Sequence, residues 1–330
     1  MTKNNKITLG ITMGDPSGIG PEIILKSFKK SEIRKNRIIV IGDYNVMLKA
    51  YNMLKIRSFK LKRITDPDEY SFDNNILNIL DLHLVNLHRL LPGREQGMSG
   101  NAAFECIRKT IELVNNNRIN AIVTSPLNKE ALHKAGHKYP GHTEIFASMT
   151  NTSDYAMLLH DKKLSVIHVS THIPLMEAIK GLKRERIEKV IELGNSIMKR
   201  LHKSNPAIGV AGINPHAGEN GLFGNEEIKE IIPAIRTMKR KGINVEGPFP
   251  PDTIFLQAVK GKYDLVVAMY HDQGHIPLKL IGFNSGVNIT AGLPFIRTSV
   301  VHGTAFEIAW KGIANESSMV NAIKLAVKII

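Results

Sequence analysis

An α/β protein on a largely parallel sheet, divided between two lobes, is predicted by three features of the sequence. The chain opens strand–helix–strand–helix, an alternation that favours parallel pairing. Three later apolar runs, Leu164 to Val169, Ile208 to Ile213 and Leu265 to Met269, have the length of buried strands, and a Gly- or Pro-containing segment follows each. With 330 residues the chain exceeds what one compact core usually holds, yet it has no repeat, low-complexity tract or clear linker. Two coupled lobes, approximately 1–130 plus 280–330 and 131–279, follow from this.

The elements can be read in order. Lys6 to Met13 is expected as a strand, and Gly14 to Gly20 as a turn-rich loop. Pro21-Glu22 opens a helix to about Lys30, with proline in a favoured first-turn position. Ile38 to Gly42 is the next strand and Asn45 to Leu54 the next helix. Leu61 to Leu91 is irregular, with room for short strands. Phe104, Ile107, Ile111 and Val114 give Asn101 to Asn116 a helical period, and Ala121 to Thr124 is a strand. Asn128 to Lys134 and Glu144 to Thr150 read as helices, Ala156 to Leu159 as a strand, and Arg184 to Leu201 as an amphipathic helix. Helices are expected again over Glu226 to Lys239, Thr253 to Val259 and Ser318 to Ile330, and strands over Val287 to Thr290 and Ile296 to Val300.

Composition narrows the function. No run of 18 apolar residues is present, which argues against a membrane partner, and the first residues lack the apolar stretch of a secretory leader. A single cysteine, Cys106, excludes an intrachain disulfide framework, and its apolar helical setting indicates packing rather than reactivity. The cytoplasm is the expected compartment. A formal charge of +14 invites a nucleic-acid reading, but the lysines are scattered over helix faces and aromatics, at 6%, do not interleave with them. No nucleic-acid partner is expected.

The chemistry lies in histidines at strand ends. His172, His216 and His271 each follow one of the three buried runs, in Ser170-Thr171-His172-Ile173-Pro174, Asn214-Pro215-His216-Ala217-Gly218-Glu219 and Tyr270-His271-Asp272-Gln273-Gly274. Ligands of open α/β sheets gather where parallel strands end, and imidazole is a common transition-metal ligand. A structural role is the default for any one of them; three together point to a shared divalent metal with positions left open for substrate. Zinc suits imidazole best, with cobalt, manganese and magnesium as alternatives.

Other segments offer anion contacts. Gly14 to Glu22 joins a strand to a helix and is either a backbone cradle for an anion or simply a sharp turn; it lacks the spacing of the Rossmann fingerprint. His142 and Thr143, in Gly141-His142-Thr143-Glu144, sit just before a helix, where Thr serves either as a cap or as a ligand donor. Lys279 and Arg297, placed in loops flanked by Gly282, Gly286 and Gly292, suit with Asn288 a phosphate or carboxylate clamp, or the three are surface polar residues of a basic chain.

These stretches, with Gly286-Val287-Asn288-Ile289-Thr290 and Pro294-Phe295-Ile296-Arg297-Thr298-Ser299, resemble the 4-hydroxythreonine-4-phosphate dehydrogenase family over nearly the whole chain. The resemblance implies that His172, His216 and His271 bind one divalent metal per subunit, and that His142, Thr143, Lys279, Asn288 and Arg297 hold a phosphorylated substrate. It also implies a homodimer with the site at its interface. Gly14 to Glu22 and His302-Gly303-Thr304-Ala305 are similar to segments of isocitrate and isopropylmalate dehydrogenases. That likeness implies a three-layer α/β/α fold with two lobes flanking a cleft, and NAD or NADP held at Gly303, Thr304 and Ala305 outside any Rossmann fold. Val301 stands where the family commonly has Asp.

Of the family's two substrate branches, Ser125 to Leu132, Glu219 to Gly224 and Gly274 to Lys279 resemble the one that oxidises 4-phospho-D-threonate or 4-phospho-D-erythronate. The other oxidises 4-phosphohydroxy-L-threonine for pyridoxal phosphate synthesis. The implied reaction is oxidation of a C3 hydroxyl followed by loss of CO2 from the β-keto acid, with Asp252 or Asp272 orienting a metal-bound imidazole. No proton-transfer residue is assigned, since a clamp lysine such as Lys279 should stay charged. A metal-dependent hydrolase using the same imidazoles around a water is the rival from another class.

Overall fold

The structure, a computed structural model, describes residues 7–201, 203–282 and 285–330. The leader reading of residues 1–6, and the expected strand start at Lys6, lie outside the described residues. Two compact units are present: one holds the chain up to Thr152 together with Leu293–Lys328, the other Ser153–Gly292. The first unit opens with β1 (Thr8–Thr12), α1 (Gly20–Phe28), α2 (Ser31–Arg34), β2 (Arg37–Gly42), α3 (Tyr44–Met53), β3 (Lys60–Ile64), β4 (Ile76–Asp81), α4 (Gly97–Asn115), β5 (Ala121–Thr124), α5 (Lys129–Lys134) and α6 (His142–Met149). The second carries β6 (Ala156–His160), β7 (Ser165–His168), α7 (Leu175–Lys180), α8 (Arg184–Arg200), β8 (Ile208–Ala211), α9 (Ile232–Arg240), β9 (Val245–Phe249), α10 (Ile254–Val259), β10 (Leu265–Ala268), α11 (His271–Gly282) and β11 (Val287–Ala291). The chain then returns to the first unit as β12 (Ile296–Val300) and α12 (Ser317–Ile329).

The first unit's strands run β3-β4-β2-β1-β5-β12, all parallel. Every residue of β1, β5 and β12 is buried, as a parallel sheet covered on both faces requires; β5 is apolar up to Thr124, whereas β12 buries Arg297, Thr298 and Ser299 between Ile296 and Val300. The outer strand β3, Lys-Leu-Lys-Arg-Ile, is largely open to solvent, and its charges discourage pairing with another chain. The register sets Thr12 beside Thr124 and Thr124 beside Ser299, so β1, β5 and β12 end level with one another.

The second unit's strands run β11-β6-β7-β10-β8-β9. Here β6 is antiparallel to both β11 and β7, and the rest pair in parallel. Helix α8 turns Ile187, Val190, Ile191, Ile197 and Met198 inward at three- and four-residue spacing. Helices pack on the sheet in each unit, giving the expected three-layer α/β/α class.

The division falls at Thr152 and Gly292, so that α5 and α6 stay with the first unit, where both pack on α4, and β11 stays with the second, where it pairs with β6. Several local readings are corrected. Lys279 lies in α11 and Arg297 on β12, not in loops, while the strands expected over Val287 to Thr290 and Ile296 to Val300 are present as β11, which carries Asn288, and β12. Gly274 and Pro277 made α11 read as a loop, yet the helix tolerates both. His142 and Thr143 form the first turn of α6 rather than preceding it; Gly141 is the flanking residue and no side chain caps the helix. The single helix expected over Glu226 to Lys239 is a π-helical turn, Glu227–Ile231, running into α9. Strand β9 went unread because Gly247 and Pro248 interrupt it, which a sheet-edge position permits.

Candidate functional site

In the first unit the level ends of β1, β5 and β12 gather polar groups inside an apolar surround. Arg297 is only 1% exposed, and its Nη2 donates to Thr124 Oγ1 at 2.6 Å. The guanidinium carbon lies 5.5 Å from the Phe146 ring centroid. Burial brings its pKa down to about 9, and the charge of Glu144 opposes that. His142 is lowered well below the usual imidazole range, first by burial and then by the charge of Arg297, and is therefore neutral. It keeps a backbone hydrogen bond at Ser125, while its Nε2 is sealed from solvent with no partner. Thr12 Oγ1 and Ser125 Oγ are also buried without partners among the described residues. Buried polar atoms are normally satisfied, so several orphans at one sheet end mark a place for a polar guest. Thr143 is buried in the same turn as His142.

The loop after β1 backs this region. Asp15 N donates to the Pro126 carbonyl at 2.9 Å, and Asp15 Oδ1 accepts from Ser17 N at 2.8 Å. Gly14 has φ +75, and a Cβ there would stand 2.4 Å from the Pro126 oxygen, so the loop closes only with glycine. Asp15 Oδ2 is buried with no partner among the described residues, and burial pushes the carboxyl up to about 7 against the pull of the Ser17 amide. The loop also meets the predicted cofactor segment. Ile19 N donates to the Thr304 carbonyl at 3.1 Å, and a Cβ on Gly18 would come within 2.9 Å of Thr304 Cβ. Gly303 is open around its α-carbon, Ala305 is left-handed at φ 44, and Val301 N donates to Ser318 Oγ at 3.3 Å. His302 Nδ1 donates to the Gly303 carbonyl at 3.0 Å, so the buried Nε2 is a bare acceptor without a partner.

The second unit holds the predicted metal ligands. His172 and His271 have ring centroids 5.7 Å apart. His271 Nδ1 lies 3.0 Å from Asp272 Oδ1, which fixes the proton on Nδ1 and leaves Nε2 as a lone-pair donor. His216 is exposed, with the Phe223 ring 6.1 Å away. It begins a left-handed turn, with φ of 52, 54, 81, 41 and 54 from His216 to Asn220. Four of those residues are not glycine, each at a cost of about 1–2 kcal/mol. Buried Glu227 holds the turn's approach: its Oε1 accepts from Ile213 N and Asn214 N, both at 2.8 Å, and its Oε2 from Asn214 Nδ2 at 2.9 Å. Lys279 is exposed, and Asn288 Oδ1 is buried without a partner among the described residues.

Two further imidazoles escaped the sequence reading. His168, the last residue of β7, is fully buried, and His275 follows His271 by one turn of α11. Burial lowers their pKa values to about 3 and about 4, with the neighbouring imidazoles adding to the effect. An imidazole inside the run Val166-Ile167-His168-Val169, and two histidines four residues apart, were the available signals.

The donor chemistry of His271 suits a metal, since a ligating imidazole commonly gives its second N–H to a carboxylate. Among the described residues no three His, Cys, Asp or Glu side chains are gathered tightly enough to enclose an ion; His172 and His271 form a pair. The open Gly303 and the bare His302 Nε2 suit a nucleotide's hydrogen-bond donors. No described helix is long and apolar enough to cross a membrane.

Residues 34–326 match the family model described as pyridoxal phosphate biosynthetic protein PdxA. A D-threonate 4-phosphate dehydrogenase of Pectobacterium atrosepticum is 53% identical, covering 97% of this chain and 98% of that one. The crystal structure of a 4-hydroxythreonine-4-phosphate dehydrogenase from Klebsiella pneumoniae superposes with a TM-score of 0.89 at 50% identity, covering 98% of this chain and 99% of that one. A β-decarboxylating dehydrogenase from Thermococcus kodakarensis shares the fold alone, at a TM-score of 0.50 and 14% identity over 97% of this chain and 81% of that one.

Proposed function

The chain belongs to the pyridoxal phosphate biosynthetic protein PdxA family, and on that premise we propose that this dehydrogenase oxidises 4-phospho-D-threonate or 4-phospho-D-erythronate with NAD or NADP and one divalent cation, zinc foremost. The products are dihydroxyacetone phosphate and CO2. The observation that carries the substrate's phosphate is the fully buried Arg297 beside a neutral His142, at a sheet end where orphaned polar atoms collect. The name of the Pectobacterium relative supports the threonate skeleton.

The roles follow from the side chains. Arg297 supplies fixed positive charge in a site where water does not screen it, so its attraction for a phosphate is stronger than at a surface. Thr124 fixes one edge of the guanidinium and thereby its direction. His142, with its Nδ1 as the remaining nitrogen for the backbone bond at Ser125, presents Nε2 to a phosphate hydroxyl, and the Thr143 hydroxyl donates beside it. Lys279 and Asn288 complete the clamp. His172, His216 and His271 hold the cation, and Gly303, Thr304 and Ala305 receive the nucleotide. A cation held there would supply Lewis acidity to the C3 hydroxyl, and a bound nicotinamide would supply the hydride acceptor. Asp272 keeps the His271 proton on Nδ1 throughout, so that Nε2 remains the donor atom.

The active form is a homodimer in the cytoplasm. Ile173, Leu175 and Met176 on and before α7, and Ile276 and Leu280 on α11, are exposed apolar side chains of the second unit, which a second copy would cover.

A panel of 4-phosphorylated hydroxy acids with NAD or NADP and Zn²⁺, Mn²⁺ or Mg²⁺, followed by nicotinamide reduction and CO2 release, tests the reading. Turnover of 4-phospho-D-threonate or 4-phospho-D-erythronate supports it. Turnover of 4-phosphohydroxy-L-threonine alone moves the enzyme to the other branch, and hydrolysis without nicotinamide reduction rejects the substrate assignment.

A further inference from the structure

The imidazole closest to His271 belongs to neither the proposed ligands nor the proposed clamp. His275 stacks on His271, with ring centroids 3.6 Å and planes 13° apart. Its Nδ1 lies 3.2 Å from His168 Nε2 and 3.0 Å from the His271 carbonyl oxygen. At the far side, His168 Nδ1 lies 3.1 Å from the Met157 carbonyl oxygen.

These distances fix the protons. A carbonyl only accepts, so His168 carries its hydrogen on Nδ1 and its Nε2 is a bare acceptor. His275 Nδ1 then faces two acceptors and must be the protonated nitrogen, which leaves the lone pair on its Nε2. A backbone oxygen of β6 thus dictates, through one buried imidazole, the tautomer and tilt of a second. The approach is close enough to need glycine: a Cβ at Gly274 would stand 2.4 Å from His168 Nε2.

We propose that the His168–His275 relay is a positioning element for His271, holding its ring plane against the Asp272 bond and so setting the affinity and coordination geometry of the divalent cation. This rests on the reading of His271 as a ligand. His275 supports rather than ligates: a lone pair lies in its ring's plane, and two stacked rings with centroids 3.6 Å and planes 13° apart hold their lone pairs in separate, near-parallel planes, so one ion does not lie in both.

Two measurements test it. In the metal-free protein with ¹⁵N-labelled histidine, long-range ¹H–¹⁵N correlation should show both His168 and His275 as Nδ1–H tautomers. The signals are assigned by their loss in His168→Asn and His275→Phe. In Co²⁺ titrations against a chromophoric chelator, His275→Ala should bind about ten-fold more weakly or worse and shift the visible cobalt absorption. His275→Phe, which keeps a flat ring to stack, should regain most of the affinity. An Nε2–H tautomer at His275, or wild-type Co²⁺ affinity and spectrum in His275→Ala, overturns the proposal. His271→Ala separates the two levels. If it binds Co²⁺ like wild type, the ligand reading fails and the proposal with it; if it is impaired while His275→Ala is not, the proposal alone fails.

Discussion

Arg297 reaches across from β12 to Thr124 at the end of β5, and the 2.6 Å bond between them is buried on both sides. A guanidinium sealed into a sheet end, its pKa lowered by the loss of water, is held there at a cost that an anionic guest would offset. Arg297→Met should therefore lower kcat/KM for a phosphorylated substrate by at least about 30-fold, corresponding to about 2 kcal/mol or more. Its thermal midpoint should stay level or rise, because an apolar side chain of similar volume replaces a buried charge. Steady-state kinetics and calorimetry check both, and an unchanged KM and kcat would remove the clamp role.

Gly18 is the second test position. Its missing Cβ lets the loop after β1 lie against Thr304. Gly18→Ala should push the 303–305 segment away and raise KM for NAD several-fold, with KM for the phosphorylated substrate little changed. Equal rises in both would show that the loop serves the substrate instead.

The buried carboxyl of Asp15 predicts a pH dependence. Its folded pKa, about 7, lies above the ordinary 3.8, so the folded state holds a proton that the unfolded chain has released. The contribution to stability thus falls as pH rises from about 4 to about 7, and levels off above. Asp15→Asn keeps an oxygen for the Ser17 amide and removes the ionisation. At pH 8 it should be more stable than wild type by an amount on the order of 1–4 kcal/mol, and at pH 4 nearly equal. Denaturant melts at the two pH values decide it; a variant less stable than wild type at pH 8 contradicts the burial argument.

His142 gives the opposite sign. Its folded pKa lies below the ordinary 6.5, so stability is lost as pH falls below that value and the unfolded chain takes up the proton. His142→Asn should flatten the acid limb of a melting-temperature profile below pH 6.5, and a limb of unchanged steepness would assign the acid loss to other groups.

Glu227 and His216 provide a fifth test. With three hydrogen bonds to Ile213 and Asn214, Glu227 holds the entry to the left-handed turn. Glu227→Ala should cost roughly 3 kcal/mol in stability, since it strands buried donors, and should weaken Co²⁺ uptake. His216→Ala should abolish that uptake and the activity while the melt stays close to wild type. Normal turnover by His216→Ala in metal-free buffer would refute the shared-metal reading.

Much of this was legible in the sequence. Apolar runs such as Ile208 to Ala211 and Leu265 to Ala268 announce strands because both their faces are buried. The family resemblance singled out His142 and Arg297, and the structure gathers those two in one unit. Helix α11 was not legible because Gly274 and Pro277 weaken its local signal, while the demand for close approach to His168 is a tertiary matter. Asp15, Thr124 and Glu227 were missed for a related reason. Each matters through what lies across the sheet or around a loop, and no spacing along the chain encodes that.

The strand that completes the first unit's parallel pairing is made long after its neighbour β5. Between the end of β5 at Thr124 and the start of β12 at Ile296 the 171 residues 125–295, Ser153–Gly292 among them, leave the ribosome before β12 can settle beside β5. During that interval the nascent protein carries an unclosed β5 flank, a template for promiscuous pairing. The intervening unit, contiguous in the chain, can fold first and shorten the search. Ribosome-stalled chains ending near residue 290 should accordingly recruit chaperones that the finished enzyme ignores.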